Sequence, residues 1–232
     1  MNRIHATAVL ERLRADFPLE QRLRKSPEAV RTAYLEVLEH WHQNGRPPEA
    51  LGLDGDTIAQ LAALDAVAHQ AQGLGCYPYS AGPGDITVTR PDGGSVVAMC
   101  ALDALAVPML ERTDSRIEAA CSHCGKALAL QSAPGGVAGN NTIAVHYRPR
   151  RARHTPCCTS LCDGITFVCG KCAPARHPDY LRLVEADAVA RQFFAFQRAW
   201  LDARPGSAGG HESALTSNGG QRFGNNSPRM RG

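Results

Sequence analysis

The sequence predicts an α+β protein in which a helical, winged-helix-like N-terminal domain packs on a mostly antiparallel β-sheet domain. Three features support this prediction. Apolar residues recur at helical spacing up to residue 72, a run rich in glycine and proline follows at 73–84, and short alternating or β-branched segments come after it. We therefore expect a helical domain at 1–72, a sheet domain at 73–201 and a disordered tail at 202–232, where there is little to bury.

Three helices are expected in the first domain. The apolar stripe of the first helix consists of Ile4, Val9, Leu10, Leu13 and Phe17. The second helix is expected to begin with Ser26 as its N-cap and to end at Gly45. The third is expected to start after Asp54 or Asp56 and to carry apolar residues as far as Val67. Its near lack of lysine and arginine speaks against nucleic-acid binding.

The second domain is predicted to contain short strands and two helices. Residues 86–89 and 95–99 flank a Pro-Asp-Gly-Gly turn and predict a hairpin, after which a short helix is expected at 100–110. Residues 132–141 form a glycine-rich loop, and the last helix is expected at 179–201. The remaining strand candidates are 116–121, 126–131, 142–148 and 164–169.

Length, charge and hydropathy limit the class of protein. The 232 residues have a net charge of +3, 44% hydrophobic and 20% charged residues, as in an ordinary globular chain. No apolar run approaches the roughly 20 residues that a membrane-spanning helix needs. The N-terminus lacks the apolar core of a secretory signal, so we expect a cytoplasmic protein without a membrane partner. The basic run at 148–154 is interpreted as a solvated loop.

Cysteine is the unusual residue of this chain. There are nine cysteines, and seven of them lie between Cys121 and Cys172. An odd number without an export signal speaks against a disulfide framework and favours thiol chemistry or metal ligation.

Two Cys-x-x-Cys pairs stand out among these residues. Cys121 and Cys124 form one pair, Cys169 and Cys172 form the other, and a glycine within or beside each pair lets the backbone turn. Two such pairs fit a tetrahedral structural zinc site that clamps separate strands. Free thiols and a redox dithiol remain open as alternatives.

A third feature combines a thiol with a carboxylate. Cys100 and Asp103 are three residues apart at the start of a predicted helix, so their side chains share one face. A purely structural role, with Cys100 at a strand end and Asp103 capping a short helix, remains open. Further along, Cys157, Cys158 and Cys162 form a group of their own.

The segment Val-Val-Ala-Met-Cys-Ala-Leu-Asp-Ala-Leu at 96–105 resembles the active-site segment of the organomercurial (alkylmercury) lyases. That family also has a helical N-terminal domain and a hairpin before this segment. Cys121-Ser-His-Cys124-Gly is similar to a downstream cysteine and glycine of the family, with Cys124 in place of a threonine. Cys162, five residues before an aromatic residue, is similar to the family's second active-site cysteine.

The resemblance implies an enzyme that cleaves carbon–mercury bonds by protonolysis, as in mercuric resistance. Cys100 and Cys162 would be the mercury ligands and Asp103 the proton shuttle, with Cys157 and Cys158 as rivals for the second ligand. An organomercurial would be the substrate, and cellular thiols or a mercuric reductase would accept Hg(II). No organic cofactor is required. The alternative is a non-catalytic protein that uses the same thiols to bind zinc, copper or mercury for sensing or transfer.

Overall fold

The computed structural model describes residues 3–48, 52–138, 142–152, 154–174 and 177–204. These residues form seven α-helices: α1 (Arg3–Asp16), α2 (Leu19–Lys25), α3 (Glu28–Asn44), α4 (Gly55–Ala63), α5 (Ala101–Glu111), α6 (Cys157–Ser160) and α7 (Leu183–Asp202). A 3₁₀ turn covers Cys162–Gly164. None of the helices is both long enough and apolar enough to span a bilayer.

The same residues form eleven strands: β1 (Val67–Gln70), β2 (Gly73–Cys76), β3 (Tyr79–Ser80), β4 (Thr87–Thr89), β5 (Ser95–Ala98), β6 (Ser115–Ala120), β7 (Ala127–Ala133), β8 (Gly136–Val137), β9 (Ile143–Tyr147), β10 (Ile165–Cys169) and β11 (Tyr180–Arg182). Eight strands make one sheet in the order β1-β2-β3-β5-β4-β6-β7-β8, and three make a second sheet in the order β10-β9-β11. All of these pairings are antiparallel. The predicted α+β class, with helices first and antiparallel sheets after them, is confirmed.

The N-terminal helices follow the predicted pattern, with one correction at a helix start. α3 ends at Gly45, whose positive φ of 64° closes the helix, as predicted. Ser26 was predicted to be the N-cap of this helix, which is wrong. It is the C-cap of α2, where its hydroxyl donates to the Leu23 carbonyl at 2.7 Å, and Pro27 precedes α3. The short α2 was not predicted.

The third predicted helix ends earlier than expected. Asp54 caps α4, and its carboxylate accepts the Thr57 N–H at 2.7 Å. The helix ends at Ala63, and Val67 lies instead in β1, which pairs with β2. Strand pairing and the burial of Val67 outweigh the helical periodicity here. The β1–β2 hairpin spans the boundary that we predicted between residues 72 and 73.

The sheets contain the predicted hairpin and two unexpected short strands. β4 and β5 form the predicted hairpin, in which Thr87 lies opposite Val97. β8 lies within the predicted glycine-rich loop and pairs with the end of β7. β11 occupies the start of the predicted last helix because it pairs with β9, so α7 begins only at Leu183. Residues 205–232, most of the predicted tail, lie outside the described residues.

The helix α5 lies at the centre of the core. It is apolar on every side, nearly all of its residues are buried, and it continues past Pro108 to Glu111. It packs against α7, whose Gln197 amide donates to the Tyr34 hydroxyl at 2.6 Å and to the Tyr77 carbonyl at 2.8 Å. A helix enclosed in this way holds its N-terminus rigidly at the end of β5. Cys100 and Asp103, the first candidate site residues, lie at this N-terminus.

Candidate active site

Cys100 lies at the junction between β5 and α5. It is the N-cap of α5, with an extended backbone, and its carbonyl accepts the Ala104 N–H at 2.9 Å. Asp103 lies in the first turn of the helix. Both residues are only 3% exposed. The three-residue spacing therefore points a thiol and a carboxylate into the same interior space.

Cys162 comes to these residues from a distant part of the chain. It is the first residue of the 3₁₀ turn before β10 and is 5% exposed. Its thiol donates to the Asp103 Oδ2 atom at a sulfur–oxygen distance of 3.7 Å. The Cys100 Sγ atom, the Cys162 Sγ atom and a carboxylate oxygen of Asp103 all lie within 4.8 Å of one another. We call these three residues the Cys-Asp-Cys site.

Burial controls the protonation of the Cys-Asp-Cys site. It raises the pKa of Asp103 from an ordinary 3.8 to about 7, even though thiol hydrogen bonds act in the opposite direction. Burial also raises the pKa of Cys100. The pKa of Cys162 is raised by its hydrogen bond with Cys100 and by burial. Asp103 can therefore exist in both protonated and ionised forms at neutral pH beside two thiols.

A pocket of about 550 Å³ leads to the two cysteines. Its lining includes Cys100, Cys162, Met99 and Phe167. A larger cleft of about 990 Å³ lies between α1 and the three-stranded sheet, but no residue of the Cys-Asp-Cys site lines it. The smaller pocket is therefore the candidate active site, since it is the one that reaches the reactive groups.

The rival cysteines occupy different positions around this pocket. Cys157 is fully buried, and its pKa is raised by burial and by the Asp65 carboxylate. Cys158 is half-buried and lines the pocket. Neither belongs to the group of ligand atoms within 4.8 Å that contains Cys100 and Asp103. The geometry favours Cys162 as the partner of Cys100.

The network that holds the Cys162 segment was not predicted from the sequence. The Asp65 carboxylate accepts the Cys157 backbone N–H at 3.0 Å and pairs with Arg150 at 3.1 Å. The Arg150 side chain also donates to the Ser160 hydroxyl at 2.9 Å and is only 3% exposed, so the prediction that its basic run is a solvated loop is wrong at this position. No local signal marks such a pair, because its partners lie 85 residues apart.

The two Cys-x-x-Cys pairs meet beside the same pocket. The Sγ atoms of Cys121, Cys124, Cys169 and Cys172 all lie within 4.8 Å of one another, and Cys121 also lines the pocket. Two sulfur-rich groups therefore share one side of the molecule.

Comparison with known protein families identifies the segment that carries these groups. Residues 80–179 match the family model described as alkylmercury lyase, and they include Cys100, Asp103 and Cys162. This segment of the chain therefore matches the alkylmercury lyase family. The predicted family and the predicted enzyme class are thereby confirmed. No curated protein matches the chain in sequence.

The fold is also similar to that of a solved structure, the mercury-bound form of MerB2. The superposition has a TM-score of 0.60 and covers 77% of this chain and 96% of that chain. The two sequences are 16% identical over this region. The alkylmercury lyase segment therefore lies in a fold that is shared well beyond residues 80–179.

Proposed function

We propose that this protein is an organomercurial lyase that cleaves carbon–mercury bonds by protonolysis, with Cys100 and Cys162 as mercury ligands and Asp103 as the proton shuttle. One observation carries the proposal: two thiol sulfurs and a carboxylate oxygen lie within 4.8 Å of one another at a pocket, within the segment that matches the alkylmercury lyase family. The release of a hydrocarbon from an organomercurial is the property that must be tested.

The two cysteines suit the capture of the metal. Mercury is a soft metal for which thiolates are the matching ligands. In the proposed reaction, R–Hg⁺ and two protein thiols give R–H, a protein-bound Hg(II) dithiolate and one proton. Binding of the second thiolate adds electron density to mercury and weakens the mercury–carbon bond. Because Cys100 and Cys162 are adjacent, both sulfurs can reach one mercury atom.

Asp103 suits the transfer of the proton. The leaving carbon needs a proton at the moment when the mercury–carbon bond breaks, and a nearby acid with a pKa close to the working pH supplies it well. Asp103 accepts the hydrogen bond of the Cys162 thiol, and burial raises its pKa to about 7. It can therefore take a proton from a thiol as mercury binds and then pass that proton to carbon.

The product is a hydrocarbon together with Hg(II) held by the two cysteines. The proposed reaction uses no organic cofactor, because thiols and a carboxylate supply all of its steps. We expect cellular thiols or a mercuric reductase to take up the Hg(II), and we expect the enzyme to serve mercuric resistance in the cytoplasm.

The direct test is to incubate the purified full chain with phenylmercury or methylmercury and an excess of thiol, and to measure benzene or methane. Wild type is expected to release the hydrocarbon catalytically. Cys100→Ser, Cys162→Ser and Asp103→Ala are expected to lose this activity. Asp163→Asn is the matched control, since it removes an exposed carboxylate directly beside Cys162.

Two outcomes would contradict the assignment. If wild type binds mercury without releasing hydrocarbon, the protein is instead a non-catalytic thiol protein for metal sensing or transfer. If Cys158→Ser abolishes release while Cys162→Ser does not, the second ligand has been assigned to the wrong cysteine.

A further inference from the structure

Four cysteines outside the Cys-Asp-Cys site converge where the two sheets meet. Cys121 follows β6 directly and Cys124 lies in the turn before β7, so both belong to the eight-stranded sheet. Cys169 is the last residue of β10, in the three-stranded sheet, and Cys172 lies in the turn after it. We call these residues the four-cysteine cluster. None of them has a part in the proposed reaction.

The sulfur positions match the size of a tetrahedral metal centre. A zinc–sulfur bond of about 2.3 Å places the corners of a tetrahedron about 3.8 Å apart. The Cys124 and Cys169 sulfurs are 3.8 Å apart, and all four sulfurs lie within 4.8 Å of one another. A disulfide needs its two sulfurs at about 2.05 Å. The cluster is therefore open enough for a central ion.

The backbone around the cluster holds the sulfurs in this arrangement. The Cys169 N–H donates to the Cys121 Sγ atom at 3.2 Å, a contact that stabilises a thiolate. The Gly125 N–H closes the first turn on the Cys121 carbonyl at 2.8 Å, and Gly125 has a φ of 71° that favours glycine. The Cys172 N–H closes the second turn on the Cys169 carbonyl at 2.9 Å. Each turn thus directs two sulfurs towards the same point.

We infer that the four-cysteine cluster binds one zinc ion, which ties the eight-stranded sheet to the three-stranded sheet. Four thiolates favour zinc over hard cations, and they leave no coordination position open, as in structural sites. Lys126 and Lys171, both exposed, lie within the two turns and offset part of the negative charge of a zinc tetrathiolate.

A zinc ion at this position would also affect the geometry of the pocket. Cys100 follows β5 of the eight-stranded sheet, whereas Cys162 precedes β10 of the three-stranded sheet. The same two sheets are joined near the cluster, where the Ser122 N–H donates to the Phe167 carbonyl at 3.0 Å and the Thr166 hydroxyl to the Ser122 hydroxyl at 2.9 Å. Zinc would therefore help to hold the two mercury ligands at a constant separation. This last step rests on the proposed function, whereas the metal site does not.

The test is the metal content of the full chain, purified under reducing conditions and measured by plasma mass spectrometry before any mercury is added. Wild type is expected to hold about one zinc per chain, as a closed tetrathiolate site does. Cys124→Ser is expected to lose it, and because Cys124 is exposed, this change opens no cavity in the core. Cys169→Ser is a second ligand variant, and Cys158→Ser is the matched control that should keep the zinc.

Cobalt substitution supplies an independent readout. Replacing zinc by Co(II) is expected to produce the intense thiolate-to-cobalt absorption of a tetrahedral site in wild type, and Cys124→Ser is expected to lose this absorption. Wild type without zinc and without this absorption would overturn the inference, as would iron in place of zinc or disulfides within the cluster of freshly reduced protein. Zinc present without hydrocarbon release would contradict the lyase proposal and leave the metal site standing.

Discussion

Replacing Asp103 by asparagine is expected to stabilise the folded protein at neutral and higher pH while it removes the lyase activity. The change keeps the size of the side chain and takes away its titration. Asp103 is 3% exposed, so its ionised form is poorly solvated in the folded state and well solvated in the unfolded state. The carboxylate that the proposed reaction needs therefore lowers the stability of the fold.

The pKa values set the size of this effect. Burial raises the pKa of Asp103 from 3.8, its value in the unfolded chain, to about 7 in the folded protein. The folded state therefore binds the proton more tightly, and wild type loses stability as the pH rises from about 4 to about 7. At about 1.4 kcal/mol for each pKa unit, the loss reaches about 4 kcal/mol at about pH 8. Asparagine has no such loss.

The assay is urea unfolding of wild type and Asp103→Asn at several pH values between about 4 and 8, followed by the emission of the buried Trp41. The difference in the free energy of unfolding should rise with pH, because only wild type has the Asp103 carboxyl group to ionise. The other titrating groups are the same in both proteins, so their contributions cancel. Hydrocarbon release by the variant should fall by about 10²–10⁴-fold, the usual contribution of a general acid. A difference that stays flat across this pH range would refute the raised pKa of Asp103.

Three further predictions concern the surroundings of the site. Asp65→Ala leaves the Arg150 guanidinium without its carboxylate, so it should lower stability by about 3–5 kcal/mol and reduce kcat/KM, measured by urea unfolding and hydrocarbon release. Glu111→Ala breaks a buried pair with Arg90 at 2.6 Å, away from the pocket, and should lower stability by a similar amount while the folded variant keeps its kcat/KM. Cys124→Ser, as it loses zinc, should lower the thermal midpoint and slow turnover, whereas added zinc should change neither in this variant.

The features that could be predicted directly from the sequence are those that depend on the spacing of neighbouring residues. Cys100 and Asp103 lie within one helical turn, and each Cys-x-x-Cys pair lies within one backbone turn, so their geometry follows from a few consecutive residues. The β4–β5 hairpin was predictable for the same reason, since Pro-Asp-Gly-Gly closes it locally. The errors at Val67 and at β11 arose where strand pairing decided the conformation, since β1 pairs with the adjacent β2 and β11 pairs with the more distant β9.

The sequence alone therefore determined the α+β class, the Cys100–Asp103 unit and the two Cys-x-x-Cys turns, because each depends on periodicity or on contacts within a few residues. Only the tertiary structure decided that Cys162, and not Cys157 or Cys158, meets Asp103, since their separation of 59 residues is closed by the packing of α5 against β10. It also decided that the four sulfurs of the two Cys-x-x-Cys turns lie within 4.8 Å of one another. Long-range strand pairing and core packing set those distances, and no local spacing encodes them.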